Sequence, residues 1–255
     1  MRLSLLGLAM GLLAAGAMRN AQAAEIKVLT AGAFKQVLVA LLPAFEQETG
    51  HKVVLDNDTV GALSKRIEGG ETFDVAVLTP GAVRDLTGRG KLVQGSEVNL
   101  ARVGVGVMVR AGAALPDIST VEAFKRALLE AKSVAYIDPA SGGSSGIYVA
   151  SLLEKLGIAA QIKPKAKLKQ GGYVADLLVK GEAELGIHQI SEIVPVKEVT
   201  LVGPLPPEVQ NYTTYAAAIS TTARQSDAAR ALLKTLTTPA AAAVLKSKGM
   251  EAAGS

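Results

Sequence analysis

Residues 26–55 read IKVLTAGAFKQVLVALLPAFEQETGHKVVL, and this stretch decides the fold. Its first six residues, 26–31, form a short apolar run that predicts a buried strand. Residues 34–48 carry apolar side chains at helical spacing and predict an amphipathic helix that ends near Gly50. Residues 52–55 predict a second strand. The stretch is therefore a strand–helix–strand unit, which is typical of parallel sheets.

The same alternation continues through the rest of the chain. After the opening unit we predict a helix over ALSKRIEGG (62–70), a strand over 74–78 and a helix from Pro80 to about Gly88, with proline at a position that suits a helix start. Residues 101–110 (ARVGVGVMVR) predict a long strand that crosses between two domains. The later segments are predicted as strands 134–137, 161–168, 184–188, 199–202 and 212–220, and as helices 144–156, 172–180, 226–237 and 239–248.

This pattern predicts an α/β protein with two lobes, each a mostly parallel sheet flanked by helices. Residues 24–104 together with 194–255 are assigned to lobe I, and residues 105–193 to lobe II. Two strands that cross between the lobes leave a cleft, and ligands of such sheets bind at the carboxyl ends of the strands.

The N-terminus is predicted to be a secretory signal peptide. Arg2 is followed by an apolar run, 3–18, and by Ala21-Gln22-Ala23, which is the order of a positive start, an apolar middle and a small-x-small cleavage site. No later stretch approaches the ~20 apolar residues of a membrane helix. Cleavage near Ala23 predicts an exported, periplasmic protein. The sequence contains no cysteine, which excludes a lipid anchor on a mature N-terminal cysteine.

The composition narrows the possible partners. Loss of residues 1–23 removes two arginines and no acid, so the net charge falls from +4 to +2. The basic residues are scattered among acids, apart from Lys163, Lys165, Lys167 and Lys169, whose alternate spacing predicts one face of an extended edge strand. Nucleic acid binding has little support. No metal site or cofactor is predicted, and the absence of tryptophan argues against sugar sites built on aromatic stacking.

Three predicted strand-to-helix loops carry small and hydroxyl residues: 31–33 (AGA), 58–61 (DTVG) and 138–146 (DPASGGSSG). The N–H groups of a first helical turn lack intrahelical partners and lie at the positive end of the helix dipole, so such loops can hold an anion without lysine or arginine. The third loop gives the sharpest signal, because Gly142-Gly143 permits unusual backbone angles among three serines. Ordinary turns and helix caps remain the alternative for all three.

Enzymatic chemistry has fewer indications. There is no cysteine nucleophile and no His-Glu-x-x-His pattern,. His188 ends the predicted strand ELGIH, where a strand end faces the cleft. Lys35, Asp56 and Asp58 are further possible proton carriers, and Tyr148 faces either the cleft or the core. For each of these residues a purely structural role is the alternative.

The order of segments resembles the periplasmic molybdate-binding protein family, the solute-binding components of ABC transporters. The resemblance rests on 30–55, on ALSKRIEGGETFDVAVLT (62–79), on LLEKLGI (152–158), on KGEAELGI (180–187) and on TTPAAAAVLKSKG (237–249). It covers essentially the whole chain after the signal peptide. It implies a type II periplasmic binding fold, capture of a small anion, an inner-membrane permease as partner and a monomeric state.

The resemblance also implies positions for the ligand. The family's first serine matches Ala33, which follows the proposed ligand-binding residue Gly32 and has no hydroxyl, and the second serine matches Thr59 or Val60. Backbone donors match Ser145 and Gly171, and a family tyrosine matches Gln189. At most one of the two hydroxyls is therefore present. Each missing charge-assisted hydrogen bond costs about 1.5–3 kcal/mol, which disfavours molybdate itself, whereas Ser141, Ser144 and Gln189 favour a small organic carboxylate.

Aconitate isomerase looks built on the same scaffold, and this opens an enzymatic alternative. Interconversion of cis- and trans-aconitate is an allylic proton shift, which needs a base near a carbon acid and donors for three carboxylates. Under this hypothesis His188, Lys35 or Tyr148 moves the proton. We therefore expect a periplasmic solute-binding protein for an ABC transporter, with periplasmic aconitate isomerase as the alternative.

Overall fold

The computed structural model describes residues 23–253. The predicted signal peptide, apart from Ala23, lies outside this range. No helix within residues 23–253 has the length and apolar character that crossing a membrane requires.

The first half of the chain repeats strands and helices as the sequence predicts. Its elements are β1 (Glu25–Ala31), α1 (Gly32–Thr49), β2 (Lys52–Asp58), α2 (Val60–Glu68), β3 (Val75–Leu78), α3 (Pro80–Gly88) and β4 (Val98–Arg110). The strand over 52–55 is longer than predicted, because residues 56–58 extend β2 in register with the end of β1.

The second half contains shorter elements. They are α4 (Val121–Glu130), β5 (Val134–Ile137), α5 (Ser144–Lys155), α6 (Ala159–Ile162), β6 (Ala166–Lys169), α7 (Ala175–Val179), β7 (Leu185–Gln189), α8 (Ile190–Ile193) and β8 (Val199–Pro204). The chain then forms β9 (Tyr212–Ile219), α9 (Ser226–Thr235), α10 (Pro239–Ser247) and β10 (Glu251–Ala252).

The strands lie in the order β2-β1-β3-β9-β4-β7-β5-β6, with β8 and β10 also paired to β4. The strand–helix units give the parallel pairs: β1 with β2 and β3, and β5 with β6 and β7. All pairs that involve β4 or β9 are antiparallel. Each lobe therefore combines parallel outer strands with antiparallel inner ones.

β4 joins the two lobes. Its residues 98–104 pair with β9, whereas residues 105–109 pair with β7. The segment between β8 and β9 makes the second crossing. β8 pairs with residues 106–110 of β4, so it belongs to the second lobe's sheet, whereas the predicted boundary placed residues from 194 onward in lobe I.

Each lobe has apolar clusters on both faces of its sheet. In the first lobe, Phe34, Leu38 and Phe45 of α1 pack in one cluster, and Leu63 and Leu86 of α2 and α3 in the other. In the second lobe the corresponding clusters contain residues of α4 and α5, and of α7 and α8. Each wall of the cleft therefore belongs to a lobe that has its own packed core.

The predicted strand over 161–168 is wrong in its first half. Residues 159–162 are helical and 163–165 form a 3-10 turn around Pro164, so only residues 166–169 are extended. The four lysines therefore do not share one strand face. Lys165 folds back, and its Nζ donates to the carbonyls of Leu129 and Ala131, both at 2.6 Å. β6 does lie at an edge of the sheet.

Candidate functional site: a cleft between the lobes

The cleft lies where the first turns of α1, α2 and α5 meet the carboxyl ends of β5 and β7. Sixteen residues line it: Ala31, Gly32, Ala33, Asn57, Asp58, Thr59, Val60, Ile137, Gly143, Ser144, Ser145, Gly172, His188, Gln189, Glu192 and Tyr215. None of these described lining residues is lysine or arginine. Negative charge in the cleft would therefore be held by backbone N–H groups, hydroxyls and amides.

Helix capping distinguishes α1 and α5 from α2, the third helix that begins at the cleft. Threonine side chains cap α2, α3, α4 and α10 by accepting an N–H of the first turn. No side chain caps α1 or α5, which follow Ala31 and Gly143. Their first N–H groups consequently keep their donor capacity where they border the cleft. Two helix dipoles direct their positive ends toward the same space.

The lobes touch each other around the cleft. Thr59 Oγ1 donates to the carbonyl of Ser141 at 2.5 Å, and Gly61 N donates to the carbonyl of Gly142 at 3.1 Å. A Cβ built on Gly61 would lie 2.7 Å from Gly142 Cα. Only glycine therefore allows the two backbones to approach this closely. We call this Gly61–Gly142 contact the glycine latch.

A further interlobe contact lies at α1. Gln36 Nε2 donates to the Tyr173 hydroxyl at 2.5 Å, which connects α1 to the segment before α7. Together with the glycine latch, it shows that the structure has the lobes closed upon the cleft. The empty space of the cleft, its open mouth included, is about 390 Å³, so the site suits a small ligand.

His188 and Glu192 form a buried pair on the wall of the cleft. His188 ends β7 and Glu192 lies in α8, and their side chains are 2% and 8% exposed. His188 Nε2 lies 3.3 Å from Glu192 Oε2. A Cβ built on Gly32 would lie 2.7 Å from Glu192 Oε1. Glycine at position 32 thus makes room for the carboxyl at the first turn of α1.

Burial disfavours the charged forms of both His188 and Glu192. Desolvation raises the pKa of Glu192 to about 8. Desolvation, with a smaller repulsive effect of Lys169, lowers the pKa of His188 to about 3. Near neutral pH the pair is therefore an uncharged imidazole beside an uncharged carboxylic acid. Burial and the nearby Glu192 carboxyl also raise the pKa of Tyr215, which hydrogen bonds to Ser144 and thus connects β9 to α5.

Several buried polar atoms next to this pair have no partner among the described residues. They are His188 Nδ1, Gln189 Oε1 and Ser191 Oγ. Gln189 is 1% exposed, and its Nε2 donates to Thr213 Oγ1 at 2.9 Å. Unsatisfied buried polar groups are rare in native proteins and call for an explanation. Those of His188 and Gln189 belong to residues that line the cleft.

The structure brings together most of the ligand residues expected from the sequence. Those that line the cleft are Gly32, Ala33, Thr59, Val60, Ser144, Ser145 and Gln189, together with the proton-carrier candidates Asp58 and His188. Thr59 uses its hydroxyl both to cap α2 and to contact Ser141. Ser144 and Ser145 lie at the first two positions of α5 and do not cap it.

Four other expected site residues do not line the cleft. Ser141 donates its hydroxyl to Asp138 O at 2.7 Å and contributes its carbonyl to the interlobe contact. Gly171 lies beside the lining residue Gly172. Lys35 is half-buried on α1. Tyr148 donates to Val209 O at 2.5 Å and packs against the second lobe's core.

Two of these positions correct the enzymatic alternative. Lys35 and Tyr148 were candidate proton carriers, but the periodicity of α1 and α5 directs them away from the lining of the cleft. Asp56 also lies outside the lining and pairs with Arg66. His188 and Asp58 are the proton-carrier candidates from the sequence that line the cleft.

Sequence reasoning missed Glu192, Tyr215, Asn57 and Gly172 as lining residues. Glu192 lies in a helix of four residues, which is too short to produce a helical period. The i, i+4 spacing of His188 and Glu192 was visible, but it spans a strand and a helix. Within residues 23–253, no group of three or more His, Cys, Asp or Glu side chains could hold a metal ion.

Comparison with known proteins gives a consistent result. A family model described as bacterial extracellular solute-binding protein matches residues 26–251. An aconitate isomerase of a Pseudomonas species is 32% identical over 98% of this chain and 97% of its own length. The molybdate-binding protein ModA of Azotobacter vinelandii is 29% identical over 90% of each chain.

A solved structure shows the same fold. The periplasmic molybdate-binding protein of Azotobacter vinelandii superposes with a TM-score of 0.75 at 21% identity, over 88% of this chain and 98% of that chain. At this identity the likeness concerns the fold alone. It confirms the expected type II periplasmic binding fold, with two lobes and helices around a mixed sheet.

Proposed function

We propose, from the premise that this chain belongs to the family of bacterial extracellular solute-binding proteins, that it captures a small organic anion in the cleft. The observation that carries the proposal is the pair of uncapped helices, α1 and α5, which direct unpaired N–H groups into a space without lysine or arginine. The buried amide of Gln189 adds a polar side chain with an unused oxygen. Such a site holds negative charge through dipoles.

An organic carboxylate fits this cleft better than molybdate. Ala33 offers no hydroxyl at the first turn of α1, and the Thr59 hydroxyl is already used for the α2 cap and for Ser141. The other hydroxyls of the lining belong to Ser144 and Ser145 on α5 and to Tyr215 on β9. The proposed ligand therefore contacts main-chain donors of α1 and hydroxyls of α5. A ligand with more than one carboxylate group offers acceptor oxygens to both sets of donors.

The proposed setting is the periplasm, after removal of residues 1–23. There the closed form delivers its ligand to an ABC permease of the inner membrane, and a monomer suffices because both walls of the cleft come from one chain. The family membership and the likeness to ModA support this partner.

A thermal-shift panel tests capture. Residues 24–255 are melted with molybdate, tungstate, sulfate, citrate, cis- and trans-aconitate and tricarballylate, the saturated tricarboxylate. An anion at about a hundred times its Kd is expected to add about 2.7 kcal/mol of stability, which is easily seen. A shift with carboxylates but not with molybdate supports the proposal. A shift with molybdate alone overturns the carboxylate class, and no shift with any anion overturns capture.

A second function, isomerisation of aconitate, is favoured by a specific observation. The chain shares 32% of its residues with an aconitate isomerase, and its cleft holds a buried acid–imidazole pair, Glu192 and His188. The reaction moves a double bond: a base removes a proton from the methylene carbon, and a proton returns to the former alkene carbon. No oxidant or cofactor is needed. His188, whose Nδ1 has no partner among the described residues, is the proposed proton carrier, and the negative charge of a bound tricarboxylate would counteract the burial that lowers its pKa,.

Turnover is tested by incubating the protein with trans-aconitate and separating the cis isomer by chromatography. In deuterated water, enzymatic conversion is expected to place deuterium on the protonated carbon. His188→Gln is expected to abolish turnover while retaining binding of tricarballylate. Unchanged turnover removes His188 from the mechanism, and the absence of conversion leaves solute capture as the function.

A further inference from the structure

Glu192 is an unusual wall residue for a cleft that captures anions. Its carboxyl is buried, and within residues 23–253 the one ionisable side chain in ion-pair contact with it is His188. An ionised carboxylate here would be almost wholly removed from water, and no lysine or arginine within residues 23–253 forms an ion pair with it,. It would also repel any anion in the same small space.

The position of the Glu192 carboxyl would make its repulsion of an anionic ligand strong. Glu192 Oε1 lies against Gly32, so close that a Cβ there would be 2.7 Å away. Gly32 begins α1, whose uncapped N–H groups are proposed to hold the ligand. Glu192 therefore lies beside the ligand's negative charge and not at a distance from it. A carboxylic acid at this place resolves the conflict, because its O–H can donate to an anionic oxygen.

A second observation points to a ligand at the same place. Gln189 Oε1 and His188 Nδ1 are buried and have no partner within residues 23–253, and both residues line the cleft, as Glu192 does. Polar atoms of this kind are normally satisfied by a bound molecule or by ordered water. The carboxyl is thus one part of a polar wall that has unused hydrogen-bonding capacity.

We propose that Glu192 determines ligand specificity as a neutral carboxylic acid, donating a hydrogen bond from its O–H to a carboxylate oxygen of the ligand. This proposal rests on the proposed capture of organic anions and adds one requirement, namely that the Glu192 carboxyl carries a proton. Ligand binding then requires a protonated Glu192 together with an ionised ligand. The ligand class is a polycarboxylate, with one carboxylate for the helix N-termini and another for Glu192.

The surroundings of Glu192 keep the acid protonated near neutral pH. The titratable groups that face it are His188 on β7, Tyr215 on β9 and Tyr173 before α7, and Lys169 acts on His188 from β6. His188 is held neutral by burial, so it does not supply a cation. Burial raises the pKa of Glu192 to about 8.

The test measures the Kd for tricarballylate, which cannot isomerise, by calorimetry at pH 7 and pH 9. Ordinary carboxyls have a pKa near 4, so the charge of the ligand is constant over this range. For the wild-type protein we expect the Kd to rise about tenfold, because Glu192 loses its proton. Glu192→Gln keeps an N–H donor and cannot ionise, so its Kd is expected to be independent of pH.

The matched control is Glu198→Gln, which makes the same substitution at an exposed position six residues away. It is expected to behave like the wild type. A pH dependence that survives in Glu192→Gln overturns the proposal, as does a wild-type Kd that is equal at both pH values. If the wild type binds tricarballylate and the other anions of the panel at neither pH, the capture proposal itself fails, and this inference fails with it.

A measurement without ligand distinguishes failure of the Glu192 proposal from failure of the capture proposal. In protein labelled with ¹³C at glutamate carboxyls, one resonance is expected to titrate near pH 8 and to be missing in Glu192→Gln. If all glutamates titrate in their ordinary range, the neutral acid is overturned even where anions bind well.

Discussion

Ser145 lies buried at the second position of α5, and its hydroxyl does not cap the helix. Replacement by alanine therefore removes a donor from the cleft without loosening α5. We expect Ser145→Ala to weaken carboxylate binding by about tenfold to a hundredfold, which corresponds to one charge-assisted hydrogen bond. Calorimetry with tricarballylate measures this change. A large fall in the Tm of the unliganded protein would instead show that the hydroxyl supports the fold.

The buried carboxyl of Glu192 also affects the stability of the unliganded protein. Its pKa is about 8 when folded, against 4.5 for an ordinary glutamate. Between these values the folded state binds more protons than the unfolded state, so the free energy of unfolding falls as the pH rises. The low pKa of His188 acts only below its ordinary value of 6.5. A window from pH 6.5 to pH 8 therefore isolates Glu192.

In urea titrations across this window, we expect the wild type to lose up to about 1.4 kcal/mol per pH unit. Glu192→Gln is expected to lack this slope and to be the more stable protein at pH 8, whereas Glu198→Gln should follow the wild type. Equal slopes in all three proteins would mean that Glu192 ionises normally in the folded state.

Among the elements, α5 depends on one glycine for its distance from β5. A Cβ on Gly146 would lie 2.2 Å from the carbonyl oxygen of Ile137, the last residue of β5. Alanine there must push the first turn of α5 away from the sheet, which costs about 1–3 kcal/mol or more. We expect Gly146→Ala to lower the urea midpoint. Gly81→Ala in α3 has open space and should be neutral or stabilising,.

Sequence patterns were most informative where an element is long or has a definite start. Pro80 marks the beginning of α3, and the strand–helix–strand unit of 26–55 gives β1, α1 and β2. They were least informative between 159 and 169, where Pro164 interrupts an alternation of lysines that resembles a strand. No element was predicted for 121–130, which forms α4.

The residues of the candidate site also divide into those that the sequence predicts and those that it does not. The loops before α1, α2 and α5 could be predicted, because helix N-termini follow from the strand–helix alternation. Glu192 could not, since it enters the cleft from a single helical turn whose position depends on how β7 ends. Tyr215 comes from β9, which is remote in sequence and reaches the cleft only through the crossing between lobes.

At the scale of the whole molecule, the glycine latch couples closure to capture. Gly61 and Gly81 both occupy the second position of a threonine-capped helix, but only Gly61 contacts the other lobe. We expect Gly61→Ala to hold the lobes apart and to weaken tricarballylate binding at least tenfold, with little change in unliganded stability. Gly81→Ala is the matched control.

Small-angle scattering with saturating tricarballylate checks the cause of this loss. The radius of gyration of Gly61→Ala is expected to stay above that of the liganded wild type. A variant that closes normally and binds normally would show that the latch glycines are replaceable and that closure depends on other contacts.

The latch also has a consequence for the speed of exchange. Its hydrogen bond joins two main-chain groups, Gly61 N and Gly142 O, and involves no atom of the ligand. An occupant leaves only after this contact has broken, so the frequency of opening sets a ceiling on every dissociation rate. Two anions of different affinity can then share nearly the same residence time when each leaves the open form faster than the lobes reclose. A permease that pulled the lobes apart would act on that common step.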